Sequence, residues 1–209
     1  MKKNKKYNMK LRIYKTFFII LIILAIIIAT FIVVKYIKSD LTEKENKKII
    51  EMFSSELETQ NENSIENRNI TMNGYKVIGI VRIPKIEIEY PILDIDTYNP
   101  EEIKEPMKFS IVKYWGGKVN DYGNLSIAGH NNFNGTMFGK TKYLENGDII
   151  ELTDLDYKTI KYTIYNIFVT EPNDVNILQS ENQSIREVTL ITCTNGNKQR
   201  LVLKARETL

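Results

Sequence analysis

Residues 17–34 read Phe-Phe-Ile-Ile-Leu-Ile-Ile-Leu-Ala-Ile-Ile-Ile-Ala-Thr-Phe-Ile-Val-Val, a run of 18 residues without a charge. At about 1.5 Å rise per residue, a helix of that length covers roughly 27 Å, close to the hydrocarbon thickness of a bilayer. A cleaved signal peptide has a shorter apolar region, about 7–15 residues, ending in a small-x-small site. This run passes into Val33-Val34-Lys35-Tyr36 with no such site, so it predicts an uncleaved membrane anchor. Lys2, Lys3, Lys5, Lys6, Lys10, Arg12 and Lys15 precede it with no acid among them. A basic flank stays in the cytoplasm, which places everything after Lys35 outside the cell membrane. The expected organisation is a cytoplasmic tail (residues 1–16), a transmembrane helix (17–34), a stalk (35–73) and a folded domain (74–209).

Charge matters here only through its distribution. The net charge is +3, but the first 34 residues carry +7, leaving −4 for the remainder. The sequence pI of 8.7 therefore reports the tail, and the mildly acidic remainder has no electrostatic footprint for nucleic acid. A single cysteine rules out an internal disulfide, so the domain must stand on its core, and 43% apolar residues suffice for one. In the stalk, Leu41, Ile49, Ile50, Phe53 and Leu57 recur at helical spacing, which fits either a solvated spacer or a helix packed on the domain. Residues 59–73 are mostly Asn, Glu and Ser and read as a linker.

The domain itself reads as β. Residues 77–83 are apolar enough for a strand, and Ile86, Ile88, Tyr90 and Ile92 alternate with Glu87 and Glu89. Pro91 marks an edge or a bulge, and Asn99-Pro100 marks the start of a short helix. Residues 125–129, 149–152 and 159–169 are further strands, and Glu145-Asn-Gly-Asp148 is a turn. Many short strands with few helices predict a mainly β barrel or sandwich.

The chemistry concentrates near the C-terminus. Val188-Thr-Leu-Ile-Thr-Cys193 and Arg200-Leu-Val-Leu-Lys-Ala flank a polar segment containing Asn195-Gly196, the pattern of a β-hairpin. Thr189, Ile191 and Cys193 share one face. A six-residue loop sets Cys193 opposite Arg200, with Cβ atoms about 4.5–5.5 Å apart; a tight turn at Asn195-Gly196 sets them diagonally, at roughly 7–8 Å. Both registers keep thiol and guanidinium on one face. A lone cysteine is by default a small buried apolar residue. Beside a cation it becomes a candidate nucleophile, and the only histidine, His130, is a candidate proton carrier just past a strand end. Arg200 would clamp an oxyanion, and Arg206, on the same face but about 20 Å further along the strand, reads as a solvated terminal charge. Trp115 reads as a core or rim residue, with the lining of a groove as the alternative.

Leu-Ser-Ile-Ala-Gly-His130, Thr189-Leu-Ile-Thr-Cys193 and Arg200-Leu-Val-Leu-Lys-Ala together resemble the sortases of Gram-positive bacteria. The resemblance covers roughly residues 74–209, with Glu171-Pro-Asn-Asp-Val-Asn-Ile-Leu178 matching the long loop before the cysteine strand. It implies an eight-stranded β-barrel with short helices, and catalytic roles for His130, Cys193 and Arg200. It also implies substrate contacts at Ala128, Thr192 and Thr194 and, from the long loop, at Val175, Ile177 and Leu178. The implied reaction cleaves a Pro-x-Thr-Gly-like sorting signal of a secreted protein between Thr and Gly. The protein is then transferred to an amine of the peptidoglycan precursor.

Gly135-Thr-Met-Phe138 resembles class B, whereas Tyr143-Leu-Glu-Asn-Gly-Asp-Ile-Ile-Glu-Leu152 resembles classes A, C and D. The Asp-Pro-aromatic lid and C-terminal anchor of class C have no counterpart here, so a class D or class B-like enzyme is expected. No cofactor and no metal are expected: residues 110–120, read as the loop before the histidine strand, hold no acid for calcium. An L,D-transpeptidase-like thiol enzyme also uses Cys, His and Arg, but resembles Ser-x-Gly-Cys-x-Arg, unlike Ile-Thr-Cys-Thr-Asn here. A catalytically silent, membrane-tethered binding module is the alternative of another class; the intact His130, Cys193 and Arg200 set argues against it.

Overall fold

The structure is a computed structural model that describes residues 2–59, 70–95, 102–180 and 182–208. The Asn99-Pro100 helix start and most of the expected linker lie outside the described residues. The chain forms two compact units, Met1–Lys44 and Glu45–Leu209.

One helix, α1 (Lys2–Thr59), makes up the first unit and opens the second. Between Arg12 and Ser55 it reaches a mean hydropathy of 3.5 over 18 residues, none of them buried, so it is long and apolar enough to cross a membrane.

Among the described residues the second unit is built on nine strands: β1 (Thr71–Met72), β2 (Tyr75–Ile83), β3 (Ile88–Asp94), β4 (Ile111–Trp115), β5 (Gly123–Ala128), β6 (Ile149–Asp154), β7 (Thr159–Thr170), β8 (Arg186–Thr194) and β9 (Gln199–Glu207). Neighbours run β2-β3-β4-β5-β8-β9-β7-β6, and β6 pairs back onto β2, closing an eight-stranded barrel. The two residues of β1 add to β2 beside the closure. Closure leaves these strands no free edge. Most pairs are antiparallel; β3–β4 and β5–β8 are parallel.

Alternation fills the barrel. Ile88, Tyr90 and Ile92 of β3, Leu125 and Ile127 of β5, and Val188 and Leu190 of β8 join one buried cluster with Phe138 and Tyr162. Ile86 joins them as expected, but from a 3-10 turn (Pro84–Ile86) rather than from the strand. Pro84 has no N–H for a ladder, and Glu87 closes the turn at φ 54° by donating to the Pro84 carbonyl. Pro91 sits where β3 pairs with β2 alone, since pairing to β4 begins only at Ile92.

One reading needs correction, and one open alternative is decided. Residues 110–120 are not one loop: Ile111–Trp115 is β4, with Ile111 facing the barrel cluster and Val112 the outer one. Burial on both sides removed the alternation that would have revealed it. The stalk alternatives are also decided. Ile49 and Phe53, 5% and 2% exposed, pack outside the barrel with Val77, Leu93, Ile103 and Val112. Asn46, wholly buried, donates to the Phe109 carbonyl at 3.1 Å. Met72, also buried, belongs to the same cluster, whereas Leu41 is exposed.

Candidate active site

The β8–β9 ladder pairs Cys193 directly with Arg200 and Thr194 with Gln199. Of the two hairpin registers, this is the directly opposed one. The ladder extends one pair further than the six-residue loop assumed, leaving residues 195–198 as the connection. Asn195, Gly196 and Asn197 all adopt positive φ, at 49°, 65° and 70°. Gly and Asn enter that region most readily, so Asn-Gly-Asn supplies a left-handed run that other residues would resist.

His130 lies two residues past Ala128, which pairs with Ile191 in the parallel β5–β8 ladder. Continued by two residues, that register reaches His130 on one segment and Cys193 on the other. Three bonds tie the segments together there. Gly129 N–H donates to the Ile191 carbonyl at 3.2 Å, the Thr192 hydroxyl to the Gly129 carbonyl at 2.8 Å, and Asn131 Nδ2 to the Cys193 carbonyl at 2.8 Å. Gly129 is required sterically: a Cβ there would meet the Phe138 ring at 2.9 Å. The His130 carbonyl accepts from Phe138 N–H at 3.0 Å, and Asn131 bridges Met137, so the intervening loop is closed at its base. His130 is half-buried, and that burial pushes its pKa below the ordinary 6.5.

Cys193 is a partly exposed free thiol. Arg200 is partly exposed too, and its Nη1 donates to the carbonyls of Asn197 and Gln199, both at 3.2 Å. The guanidinium thus rests on carbonyls at the end of the hairpin, on the residue that pairs with Cys193 across the ladder.

An apolar floor adjoins the thiol. Ala128, Ile191 and Val202 lie on the outer face of the barrel, Ile191 two residues before Cys193 and Val202 two after Arg200. Ile177 completes this buried cluster from a 3-10 turn (Asn176–Leu178), and Leu178, Phe168, Met107 and Tyr114 pack against it. Val175 is 63% exposed at the rim and Thr194 is partly exposed. Thr192 departs from expectation: it is 3% exposed and shares the inward face of Val188 and Leu190. Its hydroxyl locks the β5–β8 seam and does not face the apolar floor.

The long loop is pinned from below by two buried polar groups that the sequence reading missed. Asn124 donates to the Leu178 carbonyl at 3.0 Å and accepts from Thr189 at 2.9 Å. Glu187, 4% exposed, accepts from Ser180 at 2.6 Å, Tyr165 at 3.0 Å and Arg206 at 2.9 Å. Burial alone would raise the Glu187 carboxyl; the bonds from Ser180, Arg206 and Tyr165 outweigh it and bring its pKa below the usual value. Arg206 also stacks over the Tyr165 ring at 4.1 Å, so it is a clamp, not the solvated terminal charge expected. A polar residue at an outward strand position under a long loop was the available signal for both.

Comparison with known proteins bears on this arrangement. A family profile described as Sortase domain matches residues 81–208. Sortase A of Staphylococcus aureus (strain NCTC 8325 / PS 47) is 24% identical over 191 residues, covering 88% of this chain and 90% of that protein. Sortase A of Bacillus anthracis is 26% identical over 141 residues, covering 66% and 63%. Among solved structures, a Clostridium perfringens Sortase D5 transpeptidase superposes with TM-score 0.59 at 28% identity, over 80% of this chain and 98% of that one. Sortase A from Corynebacterium diphtheriae superposes with TM-score 0.56 at 25% identity, over 65% and 62%.

Proposed function

Because the chain belongs to the sortase family of cysteine transpeptidases, we propose that Cys193, His130 and Arg200 carry its acyl transfer. The reading rests on one observation: Cys193 and Arg200 are direct ladder partners, at the end of the seam where the His130 segment meets β8. Neutral His130 takes the proton of the Cys193 thiol as the sulfur attacks the Thr carbonyl carbon of a Pro-x-Thr-Gly-like signal. The carbonyl π electrons move to oxygen, and Arg200, released from its hairpin carbonyls, donates to that oxyanion together with the N–H of Thr194. When the oxyanion collapses, the Thr–Gly C–N bond breaks and His130 gives its proton to the departing glycine amine. A thioester remains. An amine of the cell-wall precursor then attacks it, His130 takes the amine's proton, and the Cys193 thiolate leaves.

The apolar floor of Ala128, Ile191 and Val202, walled by Ile177, Leu178 and Val175, receives the apolar residue that opens the signal. Thr192 serves by holding the seam. No metal or cofactor takes part in these steps. Likeness to the Clostridium perfringens Sortase D5 transpeptidase over nearly its whole length supports class D. The protein is anchored by residues 17–34 with its catalytic unit outside the membrane, where both secreted clients and precursor amines are found.

One experiment tests nucleophile and topology together. A membrane-impermeant, thiol-reactive mimic of Leu-Pro-Ala-Thr is added to intact protoplasts, and the full chain is analysed by mass spectrometry. Modification at Cys193, none in Cys193→Ala, and no need for lysis are expected. Labelling that survives in Cys193→Ala overturns the thiol mechanism; labelling seen only after lysis overturns the topology.

A further inference from the structure

Beyond the apolar floor, at the opposite end of β5 from His130, lies a pocket of about 410 Å³ to which the proposed reaction assigns no role. One wall is the end of β4 and the turn after it, with Trp115 and Tyr122; the other follows the long loop, with Gln179, Ser180 and Gln183. Trp115 and Tyr122 are 44% and 62% exposed. Among the described residues, no charged side chain lines the pocket. Leu178 lines it and also packs on the apolar floor, so floor and pocket are continuous at that residue.

The walls are fixed rather than adaptable. Arg186 lies over the Tyr122 ring at 4.1 Å and is held by two bonds to Glu207, at 3.1 and 2.9 Å. The opposite wall is pinned where Asn124 holds the Leu178 carbonyl and Glu187 holds Ser180. With one aromatic face already covered by a cation, the pocket is unsuited to a cationic occupant. Exposed aromatic surface with flanking amides suits a neutral, flat side chain whose backbone can be hydrogen-bonded.

Geometry identifies the occupant. Asn124 of the pocket pairs with Glu187, six residues before Cys193 on β8. At about 3.3 Å per residue this is roughly 20 Å, and an extended peptide advances at nearly the same rate. With the Thr carbonyl at Cys193, the apolar-Pro-x-Thr signal spans only about half that distance. We propose that the pocket is a specificity site for the second and third residues preceding the sorting signal, preferring uncharged aromatic side chains stacked on Trp115. This rests on the sortase reading above.

The test uses the detergent-solubilised full chain and three peptides: Leu-Pro-Ala-Thr-Gly-Gly alone, and the same peptide preceded by Gly-Gly-Gly or by Tyr-Tyr-Gly. The Tyr-Tyr-Gly peptide is expected to exceed the Gly-Gly-Gly peptide in kcat/KM by roughly three- to tenfold, through KM, the size of one aromatic stacking contact. Trp115→Ala should abolish that gain, and Trp115→Phe retain part of it, with the short peptide cleaved within about twofold of wild type by both. Equal rates for the two extended peptides, a gain that survives Trp115→Ala, or a loss that Trp115→Ala imposes equally on the short peptide each overturn the proposal while leaving the sortase reading intact. Failure of the wild type to cleave even the short peptide overturns both.

Discussion

At the scale of single residues, His130 carries a constraint visible in solution. Burial disfavours its imidazolium, so its folded pKa lies below the ordinary 6.5. Between the folded and unfolded values the unfolded chain binds more protons, and stability therefore rises with pH across that window and falls as pH drops through it. Replacing His130 with Gln removes this contribution. The decline in Tm from pH 7 to pH 5 should be smaller in His130→Gln than in wild type, measured by thermal denaturation at each pH. An equal decline in both would mean that His130 is not held away from solvent. The same depression leaves mostly neutral imidazole at pH 7, which in the proposed mechanism can take the Cys193 thiol proton and then pass it to the departing amine.

At the scale of elements, the β8–β9 hairpin separates two arginines with different work. Arg200 faces Cys193, whereas Arg206 faces Glu187 six residues away and stacks on Tyr165. Lysine keeps the charge at either position but loses the planar fork of donors. Arg200→Lys is expected to lower turnover about 10²–10³-fold with little change in Tm, the usual cost of losing an oxyanion donor. Arg206→Lys should turn over almost normally but melt at lower temperature, since buried Glu187 keeps a cation but loses the Arg206 Nε hydrogen bond. Steady-state kinetics and thermal denaturation of the two variants separate these outcomes, and exchanged phenotypes would refute the assignment of Arg200. β5 shows the same division along one strand: Ala128 belongs to the apolar floor, and Asn124 anchors the loop above it.

At the scale of the molecule, the catalytic unit begins at Glu45, ahead of the first strand. Phe53 lies edge-on to Tyr157, with ring centroids 5.6 Å apart, and is 2% exposed. Met107 and Tyr114 pack against both the cluster under Phe53 and the apolar floor, so the two share neighbours. Truncating a buried Phe to Ala typically costs about 3–5 kcal/mol. In a domain of this size each kcal/mol lowers Tm by about 2–4 °C, so Phe53→Ala should lower it by on the order of 10 °C. A Tm unchanged within a degree or two would mean that the helix contributes nothing to the fold.

Much of this was legible in the chain because the signals are local. An uncharged run of bilayer length, alternation in residues 86–92 and 188–193, and Asn-Gly between two β-branched runs each report their own neighbourhood, and the motifs around His130 and Cys193 carried the family. Strand β4 was not legible, because burial on both faces erases period-two alternation. Which hairpin register applies depended on three consecutive left-handed residues, a conformation that the sequence permits but does not compel. The inward turn of Thr192, the Asn131 tie to Cys193, the Glu187–Arg206 clamp and the docking of Phe53 all join residues distant in sequence. Such contacts exist only once β5 has paired with β8 and the barrel has closed. Sequence determined which groups were available for chemistry; closure of the barrel decided which of them share a face, which are buried, and which stand beside the thiol.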